Sequence, residues 1–138
     1  MDVELAYLAG FFDGEGSISI LNKGPRKLGL HLQVSQTVKE PLDRFQERFG
    51  GSIHLTSRGQ SPFSRKPIWA WHAGPRDGAT ALAALLPYLL VKREQAEVAI
   101  EFQSRMKWGT NKPPTDEEWE VRLGLQAQLR EARVGSAA

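Results

Sequence analysis

The sequence predicts one mixed α/β domain over residues 1–138, with the element order α-β-β-α-β-β-α-α-α. Three observations carry that expectation. Residues Val3 to Phe12 are apolar or small apart from Glu4, with helical spacing of the large side chains. Segments 18–39 and 52–73 alternate polar with apolar residues, as half-buried strands do. Three later stretches are helical in pattern and are bounded by Gly or Pro.

The first helix is expected to close at Gly14 and Gly16. Leu5, Leu8 and Phe12 form its greasy stripe, and Ala6, Ala9, Gly10 and Asp13 form a stripe with little side-chain bulk. Such a small-residue face admits close approach, either of a second copy of the helix or of a sheet. In the strands, Leu28, Leu30, Leu32 and Val34 oppose Gly29, His31, Gln33 and Ser35. Ser19, Leu21 and Lys23 oppose Ile18 and Ile20, and His54, Thr56 and Arg58 oppose Ile53 and Leu55. Trp69 and Trp71 share a face and are expected to anchor the core. Pro41 to Phe49 reads as a helix ended by Gly50-Gly51, and Asp77 to Phe102 as two helical pieces broken near Pro87. Thr115 and Glu118 suggest a capping box for a last helix through about Ala132, with a frayed tail from Gly135 to Ala138.

With 41% hydrophobic and 25% charged residues, the chain should fold as a soluble domain with a real core. It has no Cys, which excludes disulfides and thiolate metal sites and suits a reducing interior. The acidic start carries no secretion signal, and the largely apolar run Ala79 to Val91 is broken by Pro87 and too short to span a bilayer. A cytoplasmic or organellar location, away from membranes, is expected.

Net charge is only +2, but it is unevenly spread. Residues 1 to 17 hold four acids and no base. The strand segments hold Lys23, Arg26, Lys27, Lys39, Arg58, Arg65 and Lys66 and no acid. A sheet with that charge suits a polyanion, and the alternative is a lysine-rich edge that resists aggregation. Candidate DNA contacts are Ser19, Lys23, Arg26, Lys27, His31, Gln33, His54, Thr56, Arg58, Arg65 and Lys66. Arg58 can bind guanine bidentately, and Gln33 adenine. The three histidines lack zinc-ligand spacing and read as sheet residues.

The most informative stretch is Leu8-Ala-Gly-Phe-Phe-Asp-Gly-Glu-Gly16. It sets Asp13 and Glu15 at the carboxyl end of a helix, where unpaired carbonyls already carry negative charge. A hard divalent cation would relieve the repulsion, with the Gly14 carbonyl as a further oxygen ligand; a solvated acidic turn is the alternative. An EF-hand loop starting at Asp13 is excluded, because Ile18 and Gly24 stand where it needs Gly and Glu.

This nonapeptide, followed by Ser17 and the strand-like Ile18-Ser19-Ile20, closely resembles the signature of the LAGLIDADG homing endonucleases. With one motif and no second copy, the chain resembles the single-motif, homodimeric members. The resemblance implies a curved antiparallel sheet that forms a saddle for double-stranded DNA in each subunit. It implies Mg²⁺ as cofactor, with Mn²⁺ or Ca²⁺ able to substitute for binding, ligated by Glu15 and the Gly14 carbonyl near the dimer axis. Gln36 and Lys92 match positions that order the water shell around the metals, and the Ala6, Ala9, Gly10 and Asp13 stripe becomes the dimer contact. Each subunit is expected to cut one strand across a minor groove and leave short 3′ overhangs, the reaction that supports intron homing. One departure stands out: relatives often carry a base one turn past the glutamine, where this chain has Glu40, with Lys39 as the nearest substitute. Two other classes fit the same fold. A DNA-binding regulator would ordinarily lose the acidic site, and an intron maturase would bind structured RNA instead of DNA.

Overall fold

A computed structural model describes residues 1–57, 66–106 and 112–137. The element order matches the expected one throughout. Helix α1 (Val3–Glu15) runs into the hairpin β1 (Gly16–Gly24) and β2 (Lys27–Gln36). Helix α2 (Glu40–Phe49) leads to β3 (Ser52–Ser57) and β4 (Ile68–Ala73). Then come α3 (Pro75–Leu85), a single 3₁₀ turn (Leu86–Tyr88), α4 (Arg93–Ser104) and α5 (Asp116–Ala137). No helix among the described residues is long and apolar enough to cross a membrane.

Two helix ends differ from expectation. Helix α1 does not close at Gly14 but continues through Glu15, because one glycine inside a helix costs only about 1 kcal/mol. Gly16 ends it with an extended backbone, and a Cβ there would fall 2.5 Å from the Phe12 ring. Glycine is thus required at 16 by close packing. Helix α5 continues to Ala137, past the expected helix end at about Ala132, so Gly135, expected to begin a frayed tail, is helical. At its start the Glu118 amide donates to Thr115 Oγ1 at 3.1 Å, which is half of the expected capping box. The Glu118 carboxylate turns away to Arg105 and Arg122 instead.

The sheet has strand order β1-β2-β4-β3, antiparallel throughout. Ile18, Ile20, Leu28, Leu30, Leu32, Val34 and Trp71 are buried on the face covered by the helices, alongside Phe12, Phe45, Leu82 and Phe102. Trp71 is a core anchor, as expected: its ring lies 5.0 Å from that of Phe45, and its indole N–H donates to the Gly50 carbonyl at 2.9 Å. Gly50 and Gly51 both have left-handed backbones, and a side chain at 51 would collide with the Trp71 indole and the His72 carbonyl. Trp69 is only partly buried, at the end of the same face.

Candidate active site and nucleic-acid interface

The amino end of α4 meets the carboxyl end of α1. Asp13 Oδ2 accepts from the Leu90 amide at 2.9 Å, and Oδ1 from the Lys92 amide at 3.0 Å. The Lys92 ammonium donates at 2.7 Å to the Asp13 carbonyl, one of those left unpaired where α1 stops. Asp13 therefore needs no cation. Its carboxylate is held by amides at the start of a helix, where an anion is favoured, so it turns to its own subunit and not to the free stripe of the expectation. Ala9 is corrected likewise: it is fully buried in the core of its own subunit. Ala6 is half-buried, and the exposed ridge of α1 is instead Val3, Tyr7, Gly10 and Gly14.

Glu15 is the carboxylate left over. It is exposed, with no hydrogen bond or ion pair to any described residue, next to an exposed Gly14. Burial pushes the Lys92 ammonium below the ordinary lysine range; Asp13 opposes that shift, Arg133 of α5 adds to it, and Glu15 opposes it. Glu15 thus acts on Lys92 electrostatically without bonding to it. Arg133 is a cation whose charge reaches Lys92, and sequence reasoning missed it. Only α5 continuing past Ala132 brings it there, and no local pattern announced that length.

Gln36 pairs with Trp69 at the end of β2, and the register that sets Val34 opposite Gly16 puts this strand end at the α1–β1 junction. Its Oε1 accepts from the Thr37 amide at 2.8 Å and from the Thr37 hydroxyl, leaving the amide NH₂ as its available group. Lys39 is committed elsewhere. It pairs with Asp43 at 2.7 Å and lies 5.7 Å over the Trp69 ring, while Glu40 pairs with Arg44. Among the described residues no cluster of three or more His, Asp or Glu side chains could hold a metal. At the end of α1 the exposed residues are Gly14 and Glu15, and the Gly14 carbonyl is among the last of the helix.

The open face of the sheet carries Ser19, His31, Gln33 and His54, which the pairing register brings together, while Lys23 and Thr56 stand at irregularities in β1 and β3. The Lys23 stem lies across Gly29, where a Cβ would come within 3.2 Å of it. Gln33 donates to Ser35 Oγ at 3.2 Å. Two candidates are less available than expected: Thr56 donates its hydroxyl to the Ile68 carbonyl at 2.9 Å, beside an irregularity in the strand, and Arg26 is paired with Asp116 at 2.5 Å. Lys27 and Lys66 are exposed. Arg58 and Arg65 lie outside the described residues. His72 was missed as a face residue, although Trp71 in the core already forces its neighbour outward. It pairs with Gln33 on β2 and with Ser52 on β3, and its Nδ1 lies 3.0 Å from His31 Nε2.

A four-stranded antiparallel sheet covered by helices on one face is the fold of the LAGLIDADG homing endonucleases. Residues 2–68 match the model of the LAGLIDADG-like domain, so the resemblance carried by Leu8 to Gly16 holds. The fold is shared with I-Vdi141I, an archaeal intron-encoded homing endonuclease complexed with DNA, at 19% identity and a TM-score of 0.75, over 95% of this chain and 84% of that one. The homing endonuclease I-CvuI, in complex with its target in the presence of Ca, matches at 21% identity and a TM-score of 0.66, over 96% and 81%. The meganuclease I-SmaMI, bound to uncleaveable DNA, matches at 17% identity and a TM-score of 0.70 over 95% of this chain but only 46% of its own. The sequence matches no curated protein.

Proposed function

We propose that this chain is one half of a homodimeric, sequence-specific DNA endonuclease that makes Mg²⁺-dependent double-strand breaks in a long, nearly palindromic site, as intron homing requires. The observation that carries the reading is the end of α1. Asp13 is consumed by the Leu90 and Lys92 amides, and Glu15 is left exposed beside Gly14. A free carboxylate next to unpaired helix carbonyls is an all-oxygen donor set of the kind Mg²⁺ takes, so the residues fit the metal. Glu15 and the Gly14 carbonyl would hold it. When bound, it supplies charge stabilisation at the scissile phosphate and activation of the attacking water.

The chain's own residues do the rest. Lys92 fixes the end of α1 and sets a cation beside Glu15, suited to the negative charge that develops at phosphorus. Gln36, with its carbonyl turned to Thr37, offers an N–H donor to a water or a phosphate oxygen. The open sheet face lies on double-stranded DNA, with Lys23, Lys27 and Lys66 toward phosphates and Gln33, His31 and His54 toward base edges.

Dimerisation is supported by the exposed ridge of α1. Val3 is 76% and Tyr7 49% exposed, and both line a groove of about 540 Å³ with Val38 and Pro41. These four are its apolar part, beside the charged Glu4, Glu40 and Arg44, and a second copy would cover them. The half-length match to I-SmaMI agrees with a unit that needs a partner to act on both strands. Duplexes that wild-type protein retains from a randomised library in Ca²⁺ should be cut on both strands once Mg²⁺ is added. Glu15→Gln should retain the same duplexes and leave them intact, and equal cutting by this variant would overturn the site.

A further inference from the structure

His31 Nε2 and His72 Nδ1 are 3.0 Å apart, with ring centroids at 5.1 Å, in the middle of the open sheet face. One hydrogen bond between two imidazoles holds one proton, so the acceptor nitrogen is bare. Proton counting then fixes the outer edge of the pair. If His31 donates from Nε2, its Nδ1 is an acceptor and His72 Nε2 carries the other proton as a donor. If His72 donates from Nδ1, the two outer roles exchange. A neutral pair always shows one donor and one acceptor, in either order. One added proton leaves the inner bond in place and makes both outer nitrogens donors.

No described residue bonds to His31 Nδ1 or His72 Nε2. The charged and titratable groups acting on the pair are Lys23 of β1, which acts on His31, and His54 of β3, which acts on His72. The His54 ring centroid is 5.8 Å from that of His72, and His54 Nε2 is itself engaged with Ser52 Oγ at 3.0 Å. Base edges in the major groove differ in the same currency. Guanine shows two acceptors, adenine an acceptor and an amino donor, thymine one acceptor, and cytosine one amino donor.

We propose that His31 and His72 read DNA as a single proton-sharing unit, which when neutral takes one base amino group and one base acceptor in either order, and when singly protonated selects two acceptors. Base preference under the pair then changes with pH, from positions that include an amino group toward guanine and thymine. The inference rests on the open face being the DNA interface. Burial first, then the neighbouring cations and imidazoles, hold both histidines below the usual imidazole range, so the free protein carries the neutral pair at neutral pH.

The test is selection of bound duplexes from a randomised library in Ca²⁺ at about pH 8 and about pH 5.5, on either side of the ordinary histidine range. Wild-type protein should change its preference at one or two adjacent positions per half-site by on the order of tenfold, the worth of one good base contact. His72→Gln, whose amide cannot exchange donor and acceptor by moving a proton, should remove the change and keep preference elsewhere. An unchanged wild-type profile at the two pH values, or a change that survives in His72→Gln, would overturn the pair as a reader. Loss of all DNA retention at both pH values would instead overturn the DNA interface, and the inference with it. Imidazole ¹⁵N spectra of the DNA-free protein give an independent reading: the His31 titration should move when His72 is replaced, and an unmoved titration contradicts a shared proton.

Discussion

Asp13 and Glu15 stand two positions apart at the end of α1, and only their partners separate their roles. Asp13 accepts two amide hydrogens from the segment before α4, whereas Glu15 meets no described partner. Asp13→Asn keeps the size but removes the charge and turns one acceptor into a donor facing an amide. It should lower unfolding stability by about 1 to 3 kcal/mol, read by urea denaturation. Lys92→Met should keep DNA binding and lose most cleavage. Because burial depresses the Lys92 pKa, the ammonium is lost at lower pH than in an ordinary lysine, so cleavage should fall early on the alkaline side. Arg133→Ala removes a repulsive neighbour and should move that alkaline limit upward; a pH–rate profile with an unmoved limit would exclude Arg133 from the site. The paired carboxylates were legible in the sequence, and the family resemblance singled out Glu15, but the anchoring of Asp13 was not legible. It depends on residues 90 to 92, which are 77 or more positions away and carry no local mark of the contact.

At the scale of elements, alternation, helical spacing and punctuation by glycine and proline sufficed for the order from α1 to α5. The strands repeat every two residues with Leu28, Leu30, Leu32 and Val34 inside, and Gly50-Gly51 makes a turn that only glycine tolerates. Helix ends were less legible, because a single glycine, as at Gly14 or Gly135, weakens a helix by only about 1 kcal/mol and does not by itself end it. Helix α5 is tied to β1 through Gln126, whose buried amide donates to the Ile20 carbonyl at 2.7 Å. Gln126→Leu should cost about 1 to 3 kcal/mol by leaving that carbonyl without its side-chain partner. Gln103 on α4 is the reverse case: buried, with neither amide atom bonded to a described residue. Gln103→Met should match or exceed wild-type stability in the same denaturation experiment.

At the scale of the whole molecule, charge and symmetry decide behaviour. The His31 and His72 pKa values are depressed in the folded chain, so the unfolded chain binds more protons as pH falls through the histidine range. The stability they contribute is present above the unfolded pKa and is lost as pH falls through the folded values. The DNA-free protein should therefore melt at lower temperature at acidic pH, and less steeply so in the His31→Asn, His72→Asn double variant. Two copies of Glu15 are required because each subunit is proposed to cut one strand. A Cβ at Gly10 meets nothing within 4 Å in the single chain, so Gly10→Leu should fold normally yet sediment as a monomer. The most direct measurement mixes wild-type and Glu15→Gln subunits on a supercoiled plasmid carrying the selected target, in Mg²⁺. Half-sites acting through a shared dimer predict linear product from wild type alone, no product from the variant alone, and nicked circles that peak in the equal mixture. A mixture that yields only linear and uncut plasmid, in proportion to the wild-type protein added, would contradict the shared site.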